Sequence, residues 1–163
     1  MADRREEQRI RMSATRLAAV QASYELDMMG VPVDEVLSEF ATDRWTNADD
    51  EAVDELARAK PEVLKELVQG VARHTSDIDA ALAPAISGER GLGELENLLR
   101  AILRMATYEL MYRSNVPART ILSSYTEISD AFFDDDGPQI KFIAGIINSV
   151  ARNVRADEFT QSA

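Results

Sequence analysis

The stretch ELENLLRAILRMATYELMYRS, residues 94–114, decides the fold. Its apolar residues recur at three- and four-residue steps, the period of an α-helix, and they cover more than one face: Leu95, Leu98, Leu99, Ile102, Leu103, Met105, Ala106 and Leu110. We therefore predict a central helix that is buried on several sides. It should end before Pro117, because proline disfavours the α conformation in the preceding residue and suits the first turn of a new helix.

The same helical period extends outward from this segment in both directions. Towards the N-terminus, we predict a first helix that ends at Gly30, a short one after Pro32, and a longer one from Pro61 whose period continues to Ile86. Towards the C-terminus, helices are predicted over about residues 118–132 and after the turn DDDGP, residues 134–138. No strand pattern of any length occurs, so the expected fold is all-α, a compact bundle of about seven helices.

The chain of 163 residues is long enough for one hydrophobic core. We expect three parts: a flexible basic N-terminal arm over residues 1–12, a single all-α domain over residues 13–155, and a loose tail over residues 156–163. No apolar run reaches the roughly 18–20 residues of a membrane helix, and no apolar segment of a secretory signal follows the N-terminal charges. We therefore expect a cytoplasmic protein without membrane contact.

The charge is distributed unevenly along the chain. Residues 1–16 hold five arginines against three acids, a net charge of +2. Because the whole chain has a net charge of −11, residues 17–163 carry −13. Because phosphate is repelled by this acidic excess, the composition argues against a broad nucleic-acid-binding surface, and any such contact must be local. The arginines are open to two interpretations: a solvated arm, or a phosphate-binding patch in which guanidinium groups pair with phosphate oxygens.

Residues that suggest chemistry have simpler structural interpretations. The acids at 134–136 lack the alternating spacing of a calcium loop, and the chain has no cysteine and only one histidine, His74. Tyr108, Glu109 and Glu127 could serve as acid–base groups, but such residues are more often a buried polar network or exposed positions. The glycines near residue 90 lack the Lys-Ser/Thr of a phosphate loop. We predict no enzyme, no metal site and no cofactor.

Four segments together resemble the NusB family of transcription antitermination factors. ATRLAAVQASYELD, residues 14–27, is similar to the family's opening helix, A-R-x-x-A-V-Q-A-L-Y. LVQGVARHTSDID, residues 67–79, resembles its L-V-x-G-V segment. LRAILRMATYELMYRSNVPAR, residues 99–119, carries its R-A-I-L-R-x-A-x-Y-E-L followed by V-P, and AFF with KFIAGIIN resembles its closing segment. The matches fall in the family's order over about residues 11–152.

The resemblance implies a seven-helix bundle without catalysis. Family members bind boxA-type single-stranded RNA together with NusE, a ribosomal protein, and join the transcription elongation complex to sustain ribosomal RNA synthesis. By matching position, the resemblance implies RNA contacts at two places in the chain: Arg9, Arg11, Arg16, Gln21 and Tyr24 near its start, and Lys141 and Phe142 near its end. It places partner contact on Leu99 and Arg100.

Departures from the family pattern leave a second function open. Leu99 replaces an acid of the family's NusE-binding region, Ser124 replaces a glutamate, and Ala144 and Asn148 replace the asparagine and aspartate of the closing motif. The alternative is a diverged NusB-fold module that binds only protein or pairs with itself as a homodimer. The sequence leaves open whether RNA and NusE binding survive these departures.

Overall fold

The computed structural model describes residues 2–42, 59–86, 95–133 and 137–160, and within these ranges all regular structure is helical. This confirms the predicted all-α class. Two compact units form, one up to Ala72 and one from Arg73 onward. Among the described helices, none combines the length and the hydropathy that a membrane crossing requires. The turn at residues 134–136 and the glycine-rich segment at residues 87–93 lie outside the described ranges.

The first unit contains helix α1 (Ala2–Met29), helix α2 (Val33–Thr42) and all but the last residue of helix α3 (Pro61–Arg73). The buried side of α1 consists mainly of small side chains, which allow close approach of other backbone: Ala14, Thr15, Ala18, Ala19, Ala22 and Ser23. Helix α2 contacts α1 and buries Val36. Helix α3 buries its predicted apolar face, formed by Leu64, Leu67, Val68 and Val71.

Residues 2–12, expected to form a flexible arm, are instead the first turns of α1. The physical reason lies in their composition, since Ala, Arg, Glu and Gln favour helix and no glycine or proline interrupts them before Gly30. Gly30 ends the helix as predicted. Its φ of +64° is the left-handed conformation of a helix C-terminus, and its N–H donates to the carbonyl of Leu26 at 3.0 Å.

The second unit is built around helix α5 (Asn97–Tyr112). Helix α4 (Thr75–Leu82), helix α6 (Ala118–Phe132) and helix α7 (Pro138–Val154) all contact it. Ten of its 16 residues are buried, among them Ile102, Leu103 and Met105 at 0% exposure. The prediction of a central helix buried on several sides is therefore confirmed. A short 3₁₀ turn, Ala83–Ala85, follows α4.

Glu109 is part of a buried polar network in α5, one of the two interpretations that the sequence left open. Its carboxylate is fully buried and accepts a hydrogen bond from the Tyr125 hydroxyl at 2.5 Å. Arg113 lies one turn further along, with Nη1 3.6 Å from Glu109 Oε1. The network joins α5 to α6 without leaving the carboxylate unpaired.

The helix that begins at Pro61 does not continue to Ile86 but breaks at His74, whose φ and ψ are −112° and 21°. Thr75 and Ser76 follow, and such residues compete with helical hydrogen bonding through their hydroxyl groups. The imidazole of His74 stacks on the ring of Tyr112, with centroids 4.3 Å apart, and Tyr112 stacks in turn on Tyr108 at 5.3 Å. The break thus places an aromatic contact between the start of α4 and the end of α5.

The expected loose tail is a short helix, α8 (Ala156–Thr160), anchored by the residue before it. The Arg155 guanidinium donates to the carbonyls of Leu110 at 2.7 Å, Arg113 at 2.8 Å and Val116 at 2.9 Å. These carbonyls lie at or after the C-terminal end of α5, where helical partners run out. Glu158 accepts from Arg155 and from the backbone N–H of Ala118, so it joins the tail to the start of α6. We call Arg155 and Glu158 the C-terminal clasp.

Candidate nucleic-acid interface

The arginines at the start of the chain are held on a regular helix. Arg5, Arg9 and Arg16 are spaced by four and seven residues and share one face of α1, whereas Arg4 and Arg11 share another. Arg4, Arg5 and Arg9 are exposed and Arg11 is half-buried. The N-terminal half of α1 therefore presents guanidinium groups on two faces of the helix, an arrangement suited to contact with a phosphate backbone.

Arg9 already has an acidic neighbour. Its Nε donates to Glu6 Oε2 at 3.2 Å, and its Nη2 donates to Glu6 Oε1. This contact lowers the pKa of Glu6 below its ordinary value of 4.5. Because 62% of the Arg9 side chain and 55% of the Glu6 side chain are exposed, water screens the pair and a phosphate group can compete for the guanidinium.

Lys60 joins this basic surface, a residue that sequence reasoning missed. Its Nζ donates to Gln8 Oε1 on α1, and its backbone N–H donates to Thr15 Oγ1 at 2.8 Å. The same Thr15 hydroxyl donates to the carbonyl of Arg11 at 2.6 Å. Two contacts from the residue before α3 thus bring an ammonium group beside the arginines. No periodicity or motif links Lys60 to residues about 50 positions earlier, so only the fold reveals it. We call Arg4, Arg5, Arg9, Arg11 and Lys60 the basic surface.

The other predicted contacts on α1 are less accessible. Arg16 is only 5% exposed, so it offers little of its side chain to a ligand in this conformation. Gln21 and Tyr24 are half-buried and three residues apart on the same helix. The Gln21 Oε1 atom is buried and has no hydrogen-bond partner among the described residues. RNA contact at these three positions stays a prediction.

Lys141 and Phe142 lie in the first two turns of α7 and are both exposed. Pro138 begins the helix, and the first turn carries no acidic residue. Ile143, next in sequence, is fully buried, so Phe142 lies beside the helix face that enters the core. With 37% of its surface exposed, the Phe142 ring is open to stacking by a base, and the Lys141 ammonium is available to phosphate.

The predicted partner residues at the start of α5 differ in accessibility. Leu99 is 6% exposed and belongs to the buried side of the helix, although a surface role was predicted for its position. The apolar side chain fits this environment, in which an acid would be desolvated. Arg100 is half-buried and donates from Nη2 to Asn97 Oδ1. Partner contact by Leu99 and Arg100 stays a prediction, and the geometry favours Arg100.

Comparison with known proteins agrees with the fold and the four sequence segments. The sequence profile of the NusB family matches residues 13–152. The chain is 38% identical to Transcription antitermination protein NusB of Maricaulis maris over 146 residues, 90% of this chain and 89% of that protein. It is 36% identical to Transcription antitermination protein NusB of Caulobacter vibrioides over 143 residues, 88% of this chain and 93% of that protein.

Two solved structures share the fold at low sequence identity. NusB of T. maritima superimposes with a TM-score of 0.71 at 21% identity, covering 91% of this chain and 96% of that one. The antitermination factors NusB and NusE in complex with dsRNA give a TM-score of 0.68 at 21% identity, covering 87% and 96%. The profile match and the relatives above 30% identity extend over most of the sequence, and the chain therefore belongs to the NusB family.

Proposed function

We propose that this chain is a transcription antitermination factor that binds boxA-type single-stranded RNA together with NusE and supports ribosomal RNA transcription in the elongation complex. Relatives at 36–38% identity carry the name Transcription antitermination protein NusB, and a structure of similar fold holds NusE and dsRNA. The observation that carries the proposal is the basic surface of α1 and Lys60, on a chain whose net charge is otherwise strongly negative.

The basic surface contributes to the affinity for RNA but not to specificity for a particular RNA sequence. Its cations neutralise phosphates, which releases counterions whatever the bases are. Glu6 holds Arg9 only through an exposed pair, so RNA can displace it at small cost. On a chain with a net charge of −11, binding through so few contacts should be weak and sensitive to salt.

Phe142 supplies a different kind of contact. Its exposed ring can stack on an unpaired base, and Lys141 beside it can pair with a phosphate. Stacking depends little on ionic strength, since it involves no counterion release. The two proposed contact regions can therefore be separated by the salt dependence of their variants.

The test is a titration of labelled boxA-like and scrambled RNA at several salt concentrations, with and without NusE. Single-stranded RNA shows a log–log salt slope of about −0.7 for each phosphate neutralised, so contacts by the five cations of the basic surface and by Lys141 give a slope of roughly −4. The double variant Arg9→Ala/Arg11→Ala should flatten the slope by about 1.4, and Lys60→Ala by about 0.7. Both should weaken all RNA sequences alike.

Phe142→Ala should lower affinity by about 1–3 kcal/mol and leave the salt slope unchanged. The matched control for Lys60→Ala is Lys65→Ala, which removes the same charge from an exposed position of α3. This control should change neither the affinity for RNA nor the salt slope. A loss with Lys65→Ala equal to that with Lys60→Ala would refute a localised basic surface. If the wild-type chain binds neither RNA even with NusE present, the RNA proposal fails and the protein-only module replaces it.

NusE contact is proposed at Arg100 rather than through the buried Leu99. Arg100→Ala should weaken NusE binding by about 1.5–3 kcal/mol, the range for a hydrogen bond to a charged group, whereas Leu99→Met should leave it unchanged. Isothermal titration calorimetry measures both, with the exposed Arg119→Ala as the control for lost charge. Unchanged affinity for Arg100→Ala would place the NusE contact elsewhere.

A further inference from the structure

Helix α7 contains a glycine that the protein itself does not require. Gly145 lies well inside the helix, which extends from Pro138 to Val154, and among the described residues a positive φ occurs only at Gly30. A Cβ atom built on Gly145 meets no neighbouring part of the described protein within 4 Å. Since glycine inside a helix is less stable than alanine, its presence here is explained neither by backbone conformation nor by packing.

The missing side chain leaves a defined part of the helix surface uncovered. In an α-helix each Cα–Cβ bond tilts towards the N-terminus, so a side chain covers the turn that precedes its own Cα. At Gly145 that turn contains Lys141 and Phe142, four and three residues earlier. All three residues are exposed. We call Lys141, Phe142 and Gly145 the α7 patch.

The helical geometry places Gly145 between the other two members of the α7 patch. Successive residues of an α-helix are about 100° apart around its axis, so position 145 lies about 40° from position 141 and about 60° from position 142, on the side between them. The α7 patch thus presents an aromatic ring, an ammonium group and, one turn further along, a stretch of helix backbone without a side chain.

The parts of one nucleotide match these three features. Its base can stack on the Phe142 ring and its phosphate can pair with the Lys141 ammonium. The ribose joins the base to the phosphate, so in such a nucleotide it comes to lie between the ring and the ammonium, above position 145. A side chain at that position would occupy the space of the sugar.

We propose that Gly145 seats the ribose of the nucleotide whose base stacks on Phe142 and whose phosphate contacts Lys141. The inference rests on the proposed RNA-binding function and adds a steric requirement to it, the close approach of a sugar to the helix backbone. The nucleotide has to be unpaired, because a base within a duplex is not free to stack on a side chain. Since the ribose carries no charge, its contact contributes to affinity without changing the salt slope.

The test measures both the stability and the RNA affinity of Gly145→Ala, because the two should change in opposite directions. Alanine favours helix and meets no neighbour, so the midpoint of urea unfolding should rise. The affinity for boxA-like RNA should fall by about two- to twelvefold, the equivalent of one lost neutral hydrogen bond, with an unchanged salt slope. The larger Gly145→Gln should bind RNA more weakly still. The matched control is Asn153→Ala at an exposed position of α7, which also favours helix and should leave RNA affinity unchanged.

A double-variant cycle tests whether one nucleotide contacts both Phe142 and Gly145. If it does, Phe142→Ala/Gly145→Ala should lose less affinity than the sum of the two single losses. Additive losses would place Gly145 against a different nucleotide and would overturn the inference. It is also overturned by an RNA affinity that is unchanged in Gly145→Ala, or by a loss confined to NusE binding.

The unfolding measurement gives a further check. A lower midpoint for Gly145→Ala would reveal a packing role for the glycine within the protein and would contradict the inference. Absence of RNA binding by the wild-type chain, even with NusE, would instead reject the proposed function and the inference with it. The two failures are therefore distinguished by whether the wild type binds RNA.

Discussion

Replacing Arg155 with alanine should loosen the connection between α5 and α6. The guanidinium donates to the carbonyls of Leu110, Arg113 and Val116 at 2.7–2.9 Å and to that of Glu109 at 3.3 Å. Only 9% of the Arg155 side chain is exposed, so water replaces these donors poorly. Alanine leaves carbonyl groups at a helix end without their partners, which costs more than the mere loss of a surface ion pair.

The expected decrease in the free energy of unfolding depends on which of these carbonyls keep another hydrogen-bond donor after the substitution. The carbonyls of Glu109 and Arg113 also accept backbone N–H groups, both at 3.0 Å, and retain them after the substitution. The loss therefore concentrates on the carbonyls of Leu110 and Val116. Two hydrogen bonds to a charged donor, at about 1.5–3 kcal/mol each, give about 3–5 kcal/mol after partial relaxation of the loop. Arg155→Lys keeps the charge but loses the planar fork, so it should fall between alanine and wild type.

The assay is urea unfolding followed by circular dichroism, together with hydrogen exchange of amides in residues 110–118. Arg155→Ala should lower the free energy of unfolding by about 3–5 kcal/mol and speed exchange in that segment. Arg152→Ala is the control, because its guanidinium lies 4.9 Å from the centroid of the Phe159 ring and contributes about 0.5–1 kcal/mol. A loss below about 1 kcal/mol for Arg155→Ala would refute the role of the C-terminal clasp.

Three further changes test the core and the clasp. Leu103→Ala removes a fully buried side chain of the central helix and should cost about 2–5 kcal/mol in urea unfolding; less than about 1 kcal/mol would contradict its packing. Leu99→Asp should also destabilise the protein, since it places a carboxylate at a position only 6% exposed; unchanged stability would show that the side chain reaches water. The pKa of Glu158 is lowered by the hydrogen bond from the Ala118 N–H and by that from Arg155, so its contribution to stability is complete above its ordinary pKa of 4.5 and is lost as the pH falls through the lower folded value. The difference in unfolding free energy between wild type and Glu158→Gln should therefore be constant near neutral pH and shrink below about pH 4.5; a difference independent of pH would contradict this assignment.

The helices that could be predicted from the sequence are those with a strong local signal, either a regular apolar period or a residue that ends a helix. The apolar period of α5 identified the central helix because an apolar surface on several sides has to be covered by neighbouring helices. Gly30 and Pro117 predicted boundaries because the conformational freedom of glycine and the restriction that proline places on the preceding residue both act within one or two residues. Where a prediction relied on weak local preference, as for the arm before residue 13 and the tail after residue 155, the structure differs, since residues 2–12 and 156–160, the described parts of these segments, are helical.

The basic character of the chain's start and the acidity of the rest were determined by the sequence alone, because charge is counted without knowledge of the fold. Which charges act together was decided by the tertiary structure. It brings Lys60 to Gln8 and Arg155 to the end of α5, contacts that span about 40 to 50 residues. It also buries Arg16 and Leu99, which resemblance alone had placed at binding surfaces. Burial and long-range hydrogen bonding depend on how helices pack, and no single helix encodes that in its own period.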